Sequence, residues 1–295
     1  MSVFSNQLSI SPERPVDPST LSILELINRL LRNAKISYML VGATARDLLL
    51  YHVFGQAVTR ATYDIDFAVL VNSWEQFAIV KQSFLDIPGF VDKGRSAQRL
   101  HYQPTGASFE TIIDIIPFGK LETADRTIAW PLDADVVMNV AAFSDVFESS
   151  VSVQVRPNLF IPVASLPGLT VLKVFAWLDR HEERDVQDIR RLMETYTDAG
   201  NVSRLYQEEG DELERVSFDT SLAGSYLLGK DARRITDESV RTRLSTALSG
   251  KELKALVVQL ARTISVLDDR TEVAEALLNG FFRGMGIIDP PRDPT

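Results

Sequence analysis

Apolar and polar positions along the 295-residue chain change rhythm once. Up to about residue 165, helical spacing is interleaved with short apolar or alternating runs, and beyond it helical spacing dominates. Leu24, Ile27 and Leu31 recur three and four apart, with Ile23, Ile27 and Leu30 in the row beside them, which predicts a helix over 21–34 capped by Ser19 or Thr20. The apolar run that ends at Gly42 predicts a strand, a tight turn and a helix reaching about Phe54, closed by Gly55. A strand follows over 64–70, then a helix from a Ser73 cap to Leu85, stopped by Pro88-Gly89. Strands are expected over 95–103 and 108–117 around a 104–107 turn, and over 151–155 and 158–163 around Arg156-Pro157, with Trp130-Pro131 marking a loop. Helices are expected over 169–181, 182–196, 202–209, 217–228, 237–248, 251–267 and 272–282. The organisation is that of an α+β protein: a flexible N-terminal arm (1–18), a mixed domain (19–164), a helical domain (165–288) and a frayed tail (289–295).

Composition narrows the chemistry. Hydrophobic residues make up 45% and charged residues 24%, an ordinary globular balance. The chain has no cysteine, which excludes disulfides and thiolate metal sites, and its three histidines, His52, His101 and His181, lack ligand spacing, so a zinc site is not expected and any metal is expected on oxygen. No run is long and apolar enough for a membrane span and the N-terminus lacks a signal-peptide pattern, so a cytoplasmic protein is expected. A net charge of -9 disfavours broad, unspecific nucleic-acid binding while leaving room for a local basic pocket.

The stretch Thr62-Tyr63-Asp64-Ile65-Asp66-Phe67 carries the strongest chemical signal. Side chains alternate faces on a strand, so Asp64 and Asp66 point one way and Ile65 and Phe67 the other. Two carboxylates this close repel unless one is protonated or a cation lies between them. Mg²⁺ (or Mn²⁺) relieves the repulsion and is bound through one or two carboxylates plus substrate phosphates. The alternative is a solvated strand end with two exposed acids. Upstream, Gly42-Ala43-Thr44 opens a helix whose free N–H groups and dipole suit a phosphate, although Gly42 alone is equally compatible with a plain turn. In the second half, Lys173, Trp177 and Arg180 share one helix face that Arg184 and Asp188 continue, a pattern that a salt-bridged solvated face also produces.

Together, Gly42-Ala43 and Asp64-x-Asp66 resemble the nucleotidyltransferase superfamily typified by DNA polymerase β, and the stretch from Lys173 through Arg180 and Arg184 to Asp185-x-x-Asp188-Ile189 resembles its AbiEii-like toxin branch. The resemblance implies a polymerase-β-like mixed sheet with flanking helices followed by a C-terminal helical domain, and Mg²⁺-dependent transfer of a nucleoside monophosphate from a nucleoside triphosphate (NTP) to an acceptor hydroxyl. It implies a third acid, Asp114, whose place in the apolar strand Ile112-Ile113-Asp114-Ile115-Ile116 demands a partner, expected to be a metal or a proton. By position, Asp64, Asp66 and Asp114 take the metal, while Gly42, Ala43, Thr44 and Arg46 surround the phosphates. Lys173 and Arg180 add positive charge, and Asp185 is the acid of the later motif, with Asp188 beside it. Arg46 is open to a second reading as a surface ion pair. The turn departs from the family's usual Gly-Gly or Gly-Ser, losing backbone freedom or a hydroxyl.

Expected partners are an RNA acceptor such as a tRNA 3′ end and a cognate antitoxin. Arg180, Arg184, Arg190, Arg191, Lys230, Arg233 and Arg234 are the candidates for contacting RNA, and they are interleaved with acids that can pair with them. Transfer to a protein or to a small cationic antibiotic, and nucleotide binding without catalysis, are the alternatives.

Overall fold

The computed structural model of the chain describes residues 7–57, 64–94, 96–106, 109–131, 133–265 and 269–288. Thr62, Tyr63 and the expected tail over 289–295 lie outside them. The chain divides into two compact units, Met1–Ser165 and Leu166–Thr295.

The first unit runs β1 (Gln7–Ser9), α1 (Pro18–Asn33), β2 (Tyr38–Val41), α2 (Gly42–Asp47), β3 (Asp64–Val71), α3 (Trp74–Leu85), β4 (Phe90–Val91), β5 (Arg99–Tyr102), β6 (Thr111–Gly119), β7 (Thr127–Trp130), β8 (Asp133–Asn139), α4 (Phe143–Glu148), β9 (Val151–Arg156) and β10 (Leu159–Val163). Eight strands form one mixed sheet in the order β1-β9-β10-β2-β3-β6-β5-β4, and β7 and β8 form a separate hairpin. β3 lies at the centre, antiparallel to β2 and parallel to β6. Its burial follows the alternation that the sequence predicts, with Ile65 and Phe67 in the core and the two aspartates on the other face. Phe67 packs against Tyr38 and Phe84, so β2, β3 and α3 are fixed to one another by aromatic contacts directly behind the acid pair.

Three expectations change. Residues 7–18 are not a loose arm: Gln7–Ser9 pairs with β9, Arg14 Nε donates to the Tyr51 carbonyl, and Val16 is buried. A three-residue strand is too short to show alternation, and the surrounding prolines masked it. The cap of α1 is Asp17, whose carboxylate accepts from the Thr20 amide, rather than Ser19 or Thr20. Trp130-Pro131 sits at the turn of the β7–β8 hairpin, where buried Trp130 packs on Trp74 and Phe77. The helix after Gly42 continues as a π-helical turn over Leu48–Val53, so the helical run spans the predicted length with a wider second half.

The second unit is helical: α5 (Leu166–Arg180), α6 (Glu183–Thr195), α7 (Val202–Glu208), α8 (Gly210–Arg215), α9 (Thr220–Ile235), α10 (Glu238–Ala247), α11 (Lys251–Thr263) and α12 (Arg270–Met285). Val186, Ile189, Leu192 and Met193 place the apolar face of α6 inside. α9 and α12 approach so closely that a Cβ on Gly284 would lie 2.2 Å from the Tyr226 carbonyl oxygen. Backbone cannot yield as a side chain can, so Gly284→Ala is expected to destabilise this unit by about 1–3 kcal/mol, read as a lower urea midpoint at unchanged slope. Among the described residues no helix is long and apolar enough to cross a membrane.

Candidate active site

The acids converge because of strand register. On β3 and the parallel β6, Asp66 stands opposite Asp114, with Asp64 two residues back on the same face. On the other side of β6, Arg99 of β5 stands opposite Asp114. Asp66, Asp114 and Arg99 thus form a row across three adjacent strands. Arg99 Nε donates to Asp114 Oδ1 at 2.8 Å and Nη2 to Oδ2 at 2.7 Å, a forked pair that occupies both carboxylate oxygens. The partner that buried Asp114 demands is therefore a guanidinium, where a metal or a proton was expected. Hydrogen bonding to Asp114 raises the Arg99 pKa; burial opposes the shift, and the charges of Asp114, Asp64 and Asp66 reinforce it. Arg99 is the residue that the sequence reading missed. Its signal was an arginine on the strand preceding one with a central unpartnered acid.

The turn before α2 is shaped around Asp66. Val41 pairs with Asp66 across β2 and β3, and Gly42 follows with φ at +70°. A Cβ at Gly42 would lie 2.1 Å from Asp66 Oδ2, so the absent side chain is the space that the carboxylate uses. Glycine is required here both by the left-handed backbone and by this approach. Thr44 Oγ1 donates to the Asp64 carbonyl at 2.7 Å, tying the first turn of α2 to the start of β3. Val41 at the N-cap supplies no capping side chain. Gly42→Ala is expected to destabilise by about 1–2 kcal/mol from backbone strain alone, and to displace the Asp66 carboxylate. Thermal melts beside wild type check the first, and a crystal structure of the variant checks the second. Arg46 is almost wholly buried, and its Nε and Nη2 donate to Asp47 Oδ1 at 2.8 and 2.6 Å, so it is no surface ion pair.

The fit of a divalent cation rests on this donor set. Asp64 and Asp66 present hard carboxylate oxygens on one face, beside the clearance at Gly42. Among the described residues no group of three or more His, Asp or Glu is placed to hold a metal ion. Two carboxylates complemented by phosphate oxygens and water is the arrangement that Mg²⁺ accepts, so the residues fit that ion.

In the second unit, Lys173, Arg180, Asp185 and Asp188 are brought together. Lys173 Nζ lies 3.2 Å from Asp185 Oδ1 and 2.7 Å from Asp188 Oδ2. Arg180 donates to both Asp185 oxygens, at 2.6 and 2.7 Å. Asp185 is 0% and Asp188 1% exposed, which makes this a buried ion cluster rather than a solvated face. Four of the other basic candidates also have acidic partners: Arg184 with Glu182, Arg190 with Glu194, Lys230 with Glu209 and Arg234 with Asp231.

The family of the nucleotidyl transferase AbiEii toxin, of type IV toxin–antitoxin systems, matches residues 28–276, most of the chain. The chain belongs to this family. As an AbiEii nucleotidyltransferase it is a transferase, and both the strand bearing Asp64 and Asp66 and the cluster around Lys173 lie within the matched span. No curated protein matches it. Solved structures similar to this AbiEii protein include an antigenic nucleotidyltransferase-like protein from Paracoccidioides brasiliensis, with 14% identity over 70% of this chain and 93% of that one and a TM-score of 0.40. The antibiotic-resistance factor ANT(2'')-Ia shows 10% identity over 68% and 98%, with a TM-score of 0.36. A CCA-adding enzyme in complex with CTP shows 20% identity over 89% and 56%, with a TM-score of 0.29. These distant likenesses add nothing to the assignment, which rests on the family match.

Proposed function

We propose that this AbiEii nucleotidyltransferase moves a nucleoside monophosphate from an NTP to an acceptor hydroxyl on the face that carries Asp64 and Asp66. The observation that carries the reading is the register that sets Asp66 beside Asp114, with the Asp66 carboxylate in the clearance at Gly42. Asp64 and Asp66 hold Mg²⁺ or Mn²⁺, which when bound offsets the charge of the triphosphate and of the departing pyrophosphate. The backbone of Gly42, Ala43 and Thr44, at an N-terminus without a side-chain cap, supplies N–H groups for phosphate oxygens. The acceptor oxygen forms its bond to the α-phosphorus as the bond to the pyrophosphate oxygen breaks. Asp114 completes the acid row and, once Arg99 releases its oxygens, serves as a further carboxylate for the cation or as the base that takes the hydroxyl proton. Within the helical unit, Asp185 is the acid that holds Lys173 and Arg180, the two cations to which the family pattern assigns a phosphate role.

The acceptor proposed is the 3′ end of an RNA such as tRNA, and the partner a cognate antitoxin, both in keeping with a toxin–antitoxin family and a cytoplasmic setting. The test is incubation with Mg²⁺ and each α-labelled NTP in turn, against total RNA, total protein and a small-molecule extract. Label in RNA is the expected result. Label confined to protein or to a small molecule overturns the RNA acceptor, and NTP binding with no transfer to any fraction overturns catalysis.

A further inference from the structure

The acid row contains a cation already. Asp64, Asp66 and Asp114 bring three negative charges to one face of the sheet, and Arg99 reaches across from β5 to take both oxygens of the third. Asp114's side chain is only 12% exposed, whereas that of Arg99 is 35% exposed, so the carboxylate is fixed in the sheet and the arginine has solvent to move into. A forked guanidinium–carboxylate pair satisfies both partners and leaves Asp114 no oxygen without a strong donor. Arg99 thus clamps Asp114 through both of its carboxylate oxygens.

We propose that Arg99 is a positioning residue for the transfer reaction, its guanidinium standing in for a divalent cation at Asp114, so that the nucleotide-free protein binds one ion at Asp64 and Asp66 and Asp114 joins only when Arg99 leaves it. This rests on the reading of Asp64 and Asp66 as the cation site. With Arg99 in place both Asp114 oxygens are taken by N–H donors and a cation there would meet the guanidinium, so a second ion gains little. With Arg99 gone the row is more negative by one charge, and Asp114 offers two unclamped oxygens beside Asp66.

The test is a Mn²⁺ titration of the full chain without nucleotide, followed by the electron paramagnetic resonance of free Mn²⁺. Wild type is expected to bind one ion. Arg99→Gln is expected to bind a second, or the first at least tenfold more tightly. Arg99→Lys, which keeps the charge without the fork, is expected to fall between them, and it carries the test if Arg99→Gln does not melt cooperatively. The double variant Arg99→Gln/Asp114→Asn, which removes both charges at once, is expected to return to one ion at wild-type affinity. An Arg99→Gln curve superposing on wild type while Asp66→Asn weakens binding overturns the role of Arg99 and leaves the acid pair standing. Equal binding by wild type, Arg99→Gln and Asp66→Asn overturns the acid pair as the cation site, and the role of Arg99 with it.

Discussion

Asp66→Asn is expected to lower nucleotidyl transfer by about a thousandfold, the scale on which losing one preorganised electrostatic group acts on a reaction that accumulates charge. The fold is expected to survive. Asp66 stands on the face of β3 opposite the core, while Ile65 and Phe67 on the other face keep their packing against β2 and α3. Replacing one of three neighbouring carboxylates by an amide of the same shape removes repulsion, so the melting temperature is expected to hold or to rise. The effect belongs to binding as well as to rate, because the cation would lose one of two carboxylates, and Mg²⁺-dependent NTP affinity is expected to fall with it. Initial rates and calorimetric NTP titrations on wild type and variant, beside a melting curve, separate loss of the site from loss of the fold. Asp64→Asn is expected to behave alike, since Asp64 shares that face.

Asp185→Ala is expected to act on the fold, destabilising the helical unit by about 3 kcal/mol, the low end of the range for breaking a buried pair. The carboxylate is fully buried and joins Lys173 to Arg180, so its removal breaks the contacts of both cations with it, while Asp188 stays beside Lys173 and Glu182 lies 3.8 Å from Arg180 Nε. The 40% exposure of the Arg180 side chain lets that group reach water, which keeps the loss near the low end. Burial by itself would raise the Asp185 pKa, but the Arg180 hydrogen bonds and the Lys173 charge outweigh it and hold the carboxyl below its ordinary value of 3.8. A depressed folded-state pKa stabilises the fold above the unfolded value and loses that stabilisation as pH falls through the folded one. The gap between wild type and Asp185→Ala is therefore expected to be full at neutral pH and to close below pH 3.8. Urea unfolding at pH 7 and at stepwise lower pH measures it, and a constant gap across that range would place the cost in packing instead of charge.

The fold was legible wherever a periodic pattern was long enough to repeat. The apolar rows of α1, the helix over 182–196, the aspartate–core alternation of β3 and the Arg156-Pro157 turn between β9 and β10 all stand where the pattern puts them. What spacing could not show was pairing between distant segments. Gln7–Ser9 is a strand because β9 offers it a partner, and three residues carry no pattern of their own. The site divides along the same line. Asp64 and Asp66 sharing a face is local geometry, readable from a two-residue spacing. Asp114 standing beside Asp66, and Arg99 clamping Asp114, depend on the register of three strands from separate parts of the chain. The charged face of α5 was ambiguous for a related reason: the acids that pair with Lys173 and Arg180 belong to α6, and only the packing of the two helices buries those acids against them.

The central claim, that the face bearing Asp64 and Asp66 holds the cation and the triphosphate, is tested most directly by a crystal structure with Mn²⁺ and a non-hydrolysable NTP analogue, with the manganese located by its anomalous signal. The predicted result is manganese bound by Asp64 and Asp66 with the triphosphate against the Gly42–Thr44 backbone. Manganese and triphosphate held elsewhere, with Asp64 and Asp66 free of both, would contradict it.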